Sequence, residues 1–307
     1  MIFKLPQDFL FTNHYRKLNI MSLILIVLSL IVILFKGLNL GVDFKGGTLI
    51  EIRTQNANVS IGEIRQSFLK MNLGDVTVKK FGKENDYLVK IEISKTDDNN
   101  FIKSINEKLS KDLGSNVNFR RVENVGPKVS NELLQAGLLA ISLSLAAMLI
   151  YIWIRFEWQF SLAAITALIH DVIITVGIFS FLSYEVNLSI VAAVLTIVGY
   201  SMNDTVVIFD RIRENLRKYS KIPISEISDT STKETLSRTL ITSVTTLLAL
   251  LSIYIFGGAI LKGFSFAMII GVIVGTYSSI FVAAPILNYT KVNQKTVLKD
   301  KDNIENN

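Results

Sequence analysis

The chain has 307 residues, half of them hydrophobic, and a mean hydropathy of +0.43, which together indicate a membrane protein. It has no cysteine, which excludes disulfides and Cys-ligated zinc, and its only histidines, His14 and His170, argue against an imidazole-bound metal. The net charge of +6 does not indicate nucleic-acid binding. The basic residues of the short segments lie mostly in those predicted to share one side of the bilayer, as in other membrane proteins. We therefore expect membrane lipids as partners, and no metal, cofactor or nucleic acid.

Six apolar runs are long enough to cross about 30 Å of hydrocarbon, which predicts a multi-pass α-helical membrane protein with six transmembrane helices. The first run is interpreted as an uncleaved anchor and not as a signal peptide, because no small-residue cleavage site follows Phe35. The predicted spans are Leu18 to Leu38, Leu133 to Ile154, Phe160 to Leu182, Leu188 to Phe209, Thr239 to Phe256 and Phe264 to Leu287.

Residues 37–130 are polar and mix two periodicities, unlike the rest of the chain. Alternating segments predict strands and segments of helical spacing predict two helices, in the order β-α-β-β-α-β. This order predicts a small α+β ferredoxin-like domain between the first two spans. The predicted segments are Thr48 to Arg53, Ile61 to Met71, Val76 to Phe81, Tyr87 to Ile93, Phe101 to Leu113 and Val117 to Val122.

The sequence GVDFKGGT, from Gly41 to Thr48, contains the glycine spacing of a phosphate-binding loop. Gly47 stands where that motif needs its lysine, and the segment precedes a strand, so nucleotide binding is not predicted. A tight, glycine-dependent turn leading into the domain is the better interpretation.

Lysine and arginine in the short segments set the expected orientation. The N-terminal tail, the segment after the fourth span and the C-terminal tail are basic, whereas the two opposite short loops contain only Lys262. By the positive-inside rule, both termini are predicted to be cytoplasmic and the 37–130 domain periplasmic.

The expected organisation is an N-tail with helix 1 (1–36), the periplasmic domain (37–130), helices 2–6 (131–288) and a disordered cytoplasmic tail (289–307). Within it, 210–237 is expected to be a cytoplasmic amphipathic loop, with the helix of Arg211 to Lys221 lying at anionic headgroups. Ser231 with Glu234 is expected to form a capping box. Small residues at four-residue spacing predict close helix packing at Ala136, Ala140 and Ser144, and at Gly271, Gly275 and Ser279.

Asp204 lies inside the fourth apolar run, where an ionised group costs about 2.5–3.5 kcal/mol on insertion scales. The antiparallel fifth span brings Arg238 and Thr242 to a similar depth, and Asn203 is adjacent to Asp204. Asp204, Arg238, Thr242 and Asn203 are therefore the predicted proton-pathway residues. A static structural bridge between Asp204 and Arg238 is the alternative.

His170 and Asp171 lie in the middle of the third span and could extend such a relay. A neutral packing histidine is the alternative interpretation of His170.

These motifs resemble those of the SecF subunits of the bacterial protein-export machinery, a branch of the resistance-nodulation-division superfamily. The resemblance covers nearly all of residues 16–288 in order. It rests on GVDFKGGTLIEI (Gly41 to Ile52), VGPKVSNEL (Val125 to Leu133), YIWIRFEW (Tyr151 to Trp158), HDV (His170 to Val172), VGYSMNDTVVIFDRIREN (Val198 to Asn215), SRTLITS (Ser237 to Ser243) and FGG (Phe256 to Gly258).

The resemblance implies a non-enzymatic transport subunit of the cytoplasmic membrane, paired with SecD and working with the SecYEG channel, the SecA motor, YidC, YajC and preproteins. It implies that the proton gradient drives export, and it carries the proton-path roles onto Asp204, Arg238 and Thr242. A small-molecule or lipid exporter of the same superfamily is the alternative. Such exporters usually contain two repeated halves, and this chain has no internal duplication.

Overall fold

The computed structural model describes residues 9–55, 59–81, 85–92, 99–219 and 222–298. In this part of the chain, six helices are long and apolar enough to cross a membrane, and a small sheet domain follows the first of them, as predicted. In chain order the elements are α1 (Thr12–Lys36), β1 (Asn39–Leu40), α2 (Val42–Lys45), β2 (Gly47–Thr54), α3 (Ile61–Leu69), β3 (Val76–Lys80), β4 (Asp86–Ile91), α4 (Asn99–Leu113), β5 (Val117–Val125), α5 (Pro127–Arg155), α6 (Trp158–Leu182), β6 (Glu185–Val186), α7 (Leu188–Lys218), α8 (Ile224–Phe256), α9 (Gly258–Ser278), a π-helical turn (Ser279–Ala283) and α10 (Ala284–Tyr289).

Helices α6, α7 and α9 form the interior of the bundle, and glycines on α9 set how closely α9 approaches α7. A Cβ atom added at Gly271 would lie 2.3 Å from the Ile197 side chain, and one at Gly275 would lie 2.9 Å from Ser201. The predicted packing role of the small residues in the last span is confirmed for these two. On α5 the buried small residues are Ser130 and Gly137, whereas Ala136 of the predicted set is exposed.

The first span begins at Thr12, six residues before the predicted start, because a neighbouring helix caps it. Asp229 of α8 accepts hydrogen bonds from the backbone N–H of Thr12 (3.1 Å) and from its hydroxyl (2.6 Å). This carboxylate satisfies a free N–H at the helix start and suits its positive end. Helix α1 is therefore anchored to α8 at one end of the bundle.

The sheet of the small domain has the order β3-β4-β2-β5, with all neighbours antiparallel. This is the order of a split βαβ fold, so the predicted ferredoxin-like domain is confirmed. Helices α3 and α4 cover one face of the sheet, where fully buried side chains such as Ile50, Ile52 and Phe68 form the core. The predicted end of the third strand, Ile93, lies outside the described residues.

The glycine-rich segment forms the tight turn that the sequence predicts. Gly46 (φ 76°) and Gly47 (φ 115°) both adopt the left-handed region, which disfavours residues with a Cβ atom. A Cβ atom at Gly47 would lie 2.4 Å from the carbonyl oxygen of Ile91. The turn therefore requires glycine both for its backbone angles and for the approach of β4.

The small domain is tied to the bundle through the connection between α6 and α7. Strand β1 pairs in parallel with β6, and the N–H of Leu188 donates to Asp43 Oδ2 at 2.9 Å. The Lys90 ammonium donates to the Leu40 carbonyl at 2.9 Å, and its partial burial lowers the pKa of Lys90. The start of the domain is thus joined by hydrogen bonds to the connection between α6 and α7.

Two expectations for the opposite end of the bundle are wrong, the headgroup position of the predicted 211–221 helix and the capping box. The helix itself is present, because α7 continues to Lys218, and α8 begins at Ile224. Ile212 and Leu216, expected at the headgroups, are buried at 0% and 2% exposure in the bundle core, because the end of α7 packs against the extended start of α8.

The predicted capping box is wrong for the same reason. Ser231 lies within α8, where its hydroxyl accepts a hydrogen bond from the Asn215 amide at 2.9 Å. Glu234 accepts from Asn215 and Arg211, at 2.8 and 2.6 Å. Both residues join α7 to α8 and neither caps a helix.

The C-terminal tail, predicted to be disordered from residue 289, is ordered through the last described residues. Residues 294–298 are helical, and Val292 and Val297 are buried in the same core cluster as Phe11. Burial of these two apolar side chains explains the difference. The cluster shared with Phe11 also places both ends of the described chain at the same end of the bundle, as an even number of spans requires. That this end is cytoplasmic stays a prediction.

We expect the Gly47→Ala substitution to destabilise the protein by about 1–3 kcal/mol, because alanine would be strained at this φ and would contact the Ile91 carbonyl. Gly62→Ala is the matched control, since Gly62 lies in the first turn of α3, an added Cβ would make only an ordinary contact with Ser60 Oγ at 3.7 Å, and alanine favours the helix. Thermal unfolding of the purified protein should show a lower Tm for the first variant only. Equal Tm values would contradict the role of the turn.

Candidate functional site

The structure buries Asp204 on α7, as the predicted proton-pathway role requires. Its residue exposure is 3%, and the Asn203 amide donates to Oδ1 at 3.4 Å. Asn203 itself is exposed on the helix surface. Asp204 and Asn203 are therefore adjacent, but only the carboxylate points into the bundle.

Arg238 and Thr242 do not contact Asp204 directly. Arg238 is exposed, and among the described residues it forms no ion pair within 4.0 Å. Its guanidinium influences Asp204 only by longer-range electrostatics. The Thr242 hydroxyl donates to carbonyls of its own helix, Arg238 and Thr239, at 3.1 and 2.9 Å. The close pairing expected from depth alone is therefore not formed.

The rotation of α8 about its axis explains this outcome. Thr239 and Ser243, at 1% and 4% exposure, occupy the buried face of α8. Ser243 interacts with the Asp204 carboxyl, and its hydroxyl lies 2.7 Å from that of Thr276 on α9. Sequence reasoning chose residues at the right depth but one position away from the buried face. The hydroxyl residues Thr235, Thr239 and Ser243 are spaced by about one helical turn, and this pattern in the sequence indicates the polar buried face of α8.

The most completely built polar site surrounds Asp171, which was predicted only as a secondary relay residue. Asp171 and His170 are 0% and 1% exposed, in the middle of α6. The His170 Nδ1 lies 2.8 Å from Asp171 Oδ1, while the hydroxyls of Ser201 and Ser278 donate to Oδ2 at 2.5 and 2.8 Å. One carboxylate thus binds groups from α6, α7 and α9. Neither Ser201 nor Ser278 was among the residues predicted from the sequence.

His170 is packed, as the alternative interpretation expected, but it is not fully satisfied. Its ring stacks on Tyr277, with ring centres 6.1 Å apart and planes inclined by 26°. The Tyr277 hydroxyl donates to the Leu18 carbonyl and lies 2.8 Å from the Ser22 hydroxyl, so α1 closes this side of the site. The buried Nε2 of His170 has no hydrogen-bond partner among the described residues. A proton on this ring can therefore be held at Nε2 or shared with Asp171 through Nδ1.

Hydroxyl groups of α7 and the π-helical turn lie between the neighbourhoods of Asp171 and Asp204, but no hydrogen bond between described residues joins the two carboxylates. Ser201 binds Asp171, and the Thr205 hydroxyl donates to the Ser201 carbonyl at 3.3 Å and lies 2.8 Å from Ser279 Oγ. Ser279 begins the π-helical turn, an irregularity that often occurs at functional sites. Two buried carboxylates and a layer of hydroxyls therefore lie between α6, α7, α8 and α9. Buried carboxylates of this kind inside a membrane protein are typical of proton relays.

Comparison with known proteins agrees with this architecture. The family model described as "Protein export membrane protein SecD/SecF, C-terminal" matches residues 105–293, and the "SecD/SecF GG Motif" model matches residues 31–57. Among curated relatives, "Protein translocase subunit SecF" of Rickettsia bellii is 46% identical over 91% of this chain and 92% of its own. The protein of the same name from Cereibacter sphaeroides is 41% identical over 91% of this chain and 88% of its own.

The solved structure of SecDF from Thermus thermophilus, described as a translocon-associated membrane protein, superimposes with a TM-score of 0.83 at 34% identity. It aligns with 92% of this chain, which spans 38% of that longer chain. A SecDF structure in a "Super-membrane-facing form" gives a TM-score of 0.66 at 30% identity, over 99% of this chain and 41% of that one.

A family model that spans more than half of the chain, and relatives 41–46% identical along most of its length, show that this chain belongs to the SecD/SecF family of protein-export membrane proteins, as a multi-pass protein of the bacterial inner membrane.

Proposed function

We propose that this chain is an accessory subunit of the Sec preprotein translocase that, together with SecD, uses the proton gradient to promote late steps of export across the cytoplasmic membrane. The observation that carries the proposal is the buried layer containing Asp171 and Asp204, because carboxylates inside a membrane are costly and are typical of proton relays. Because the chain belongs to a family of protein-export proteins, the process to which proton transfer would be coupled is protein export.

The chemistry of Asp171 supports a switching role. As an anion it accepts hydrogen bonds from Ser201 and Ser278 and faces His170. Protonation would remove an acceptor and add a donor, so the hydroxyls on α7 and α9 would need other partners. Because these hydroxyls lie on different helices, loading a proton would change the preferred packing of α6, α7 and α9. Transfer of the proton from Asp171 to His170 or toward Asp204 would restore the original packing of these helices.

The available energy fits repeated small movements. One charge crossing the membrane releases about 2.3 kcal/mol per 100 mV, which can bias a two-state domain movement but cannot carry a whole protein across in one step. The small domain follows the outer ends of α6 and α7 through the β1–β6 ladder, so a shift of these helices would reach it. We therefore infer a cyclic accessory and not a single-stroke motor.

SecD is the proposed direct partner, because the SecDF chain of Thermus thermophilus is much longer than this chain and contains a matching part. The SecYEG channel, the SecA motor, YidC, YajC and preproteins complete the proposed set of partners. In this proposal the transmembrane helices of SecD cover the exposed, polar surface near Asn203 and Arg238.

We expect Asp204→Asn and Asp171→Asn each to abolish the stimulation of preprotein export by the proton gradient, because an amide keeps the shape of the side chain but cannot carry the proton. The measurement is export into vesicles that contain the assembled translocase, with and without an ionophore. Asp210→Asn is the control, since Asp210 forms an exposed pair with Arg155 at 3.1 Å. Full gradient stimulation in both buried variants would rule out the relay.

We expect Arg238→Gln to leave the Tm unchanged while weakening the gradient stimulation of export, because Arg238 forms no direct pair with Asp204 but shifts its electrostatic environment. Arg213→Gln is the contrasting variant: Arg213 is paired with Glu157 at 3.0 Å, both side chains are largely buried, and breaking such a pair costs about 3–5 kcal/mol. Thermal unfolding and vesicle export are measured on both. A lower Tm for Arg238→Gln would favour a passive structural bridge.

A further inference from the structure

Helices α3 and α4 of the small domain cover only one face of its sheet. Helices α3 and α4 pack on the face that carries Ile50, Val78 and Val89. The residues that alternate with these along the strands, such as Leu49, Lys79 and Leu88, point to the opposite face. In the structure this second face lies over the outer ends of the membrane helices.

Two adjoining cavities separate this sheet face from the bundle. The larger, of about 480 Å³, lies between Leu49 and Leu88 on the sheet and Tyr184, Lys262 and Phe264 on the helix ends. The smaller, of about 320 Å³, extends toward Thr77 and Lys90. Both are lined by Lys79, Leu88 and Glu185, so they form one continuous sheet-face groove. Each has the volume of a typical ligand pocket, about 300–1,000 Å³.

The chemistry of the groove is mixed. Carboxylates (Asp43, Glu51, Glu123, Glu185), cations (Lys79, Lys80, Arg121, Lys262) and apolar or aromatic side chains (Leu49, Phe81, Leu88, Phe264) share its walls. Among the described residues, Lys79, Lys80 and Lys262 form no ion pair. A surface without a dominant charge, offering both charged and apolar contacts, suits polypeptide of varied sequence and does not suit a phosphate or a nucleic acid.

The edge strand β3 borders the groove and adds a backbone recognition element. Among the described strands, β3 pairs only with β4, so its outer edge presents free N–H and C=O groups. Lys79, Lys80 and Phe81 at its end line the larger cavity. Backbone pairing along a free edge is independent of sequence, which is what a carrier of many different unfolded chains requires.

From these features we propose that the sheet-face groove binds a short extended segment of the exported polypeptide after it emerges from the membrane. The proposal rests on the export function proposed above and names the surface of this chain that contacts the substrate. The floor of the groove includes Glu185, whose strand pairs with β1 and follows α6. The groove therefore lies at the junction through which a movement of α6 and α7 would reach the small domain.

The native chain has no cysteine, so single-cysteine variants test the proposal directly. Leu88→Cys and Lys79→Cys place a photoreactive maleimide in the groove, and Lys79 is exposed, so its replacement does not disturb the core. Lys108→Cys is the matched control, because Lys108 is exposed on α4, which covers the other face of the sheet. Each variant is assembled with its partner subunits in vesicles and illuminated with an export intermediate arrested partway across.

We expect both groove variants to cross-link to the arrested preprotein several-fold more than Lys108→Cys. Equal cross-linking at all three positions, or groove cross-links only to another subunit or to lipid, would overturn the groove assignment. Repeating the experiment in the Asp171→Asn background separates the two proposals. Retained cross-links without gradient stimulation in this background would support the groove and the relay together, whereas gradient stimulation without groove cross-links in the variants that keep Asp171 would overturn the groove alone.

Discussion

A carboxylate inside a membrane protein must be supplied with hydrogen-bond donors by the protein itself, and this requirement governs the packing of the bundle. Asp171 obtains its donors from a neighbouring imidazole and from hydroxyls on two other helices. Gly271 and Gly275 let α9, which carries Ser278, lie directly against α7. The small residues, the serines and the carboxylate therefore depend on one another, and replacing one of them changes the environment of the rest.

The same requirement divides the six spans into two groups. Helices α6, α7 and the last span bury about half of their apolar stretches, and they carry the polar layer. Helices α1, α5 and α8 bury far less and expose their apolar side chains outward. The inner group fixes the carboxylates and the outer group shields them. Exposed polar residues at Asn203 and Arg238 interrupt this shield, and a partner or water is needed there because hydrocarbon would not solvate them.

The connection between the membrane layer and the small domain combines a short backbone ladder with side-chain hydrogen bonds. The α6–α7 hairpin contains Asp171 on one helix and Ser201 on the next, and its loop forms the β1–β6 ladder with the chain that enters the domain. The sheet-face groove lies at this junction, between the part that would move and the part that would hold a substrate.

The amino-acid sequence by itself determined the class, the six spans and the order of elements in the small domain, because apolar length and periodicity are local properties. It also identified Asp204, Asp171 and His170 as buried polar anomalies. What only the tertiary structure decided is which groups meet: Ser278 joins Asp171, and Ser243, not Thr242, faces Asp204. Depth along a helix follows from residue number, but the direction in which a side chain points depends on the rotation of each helix against its neighbours. That rotation is set by close packing among glycines and hydroxyls far apart in the chain.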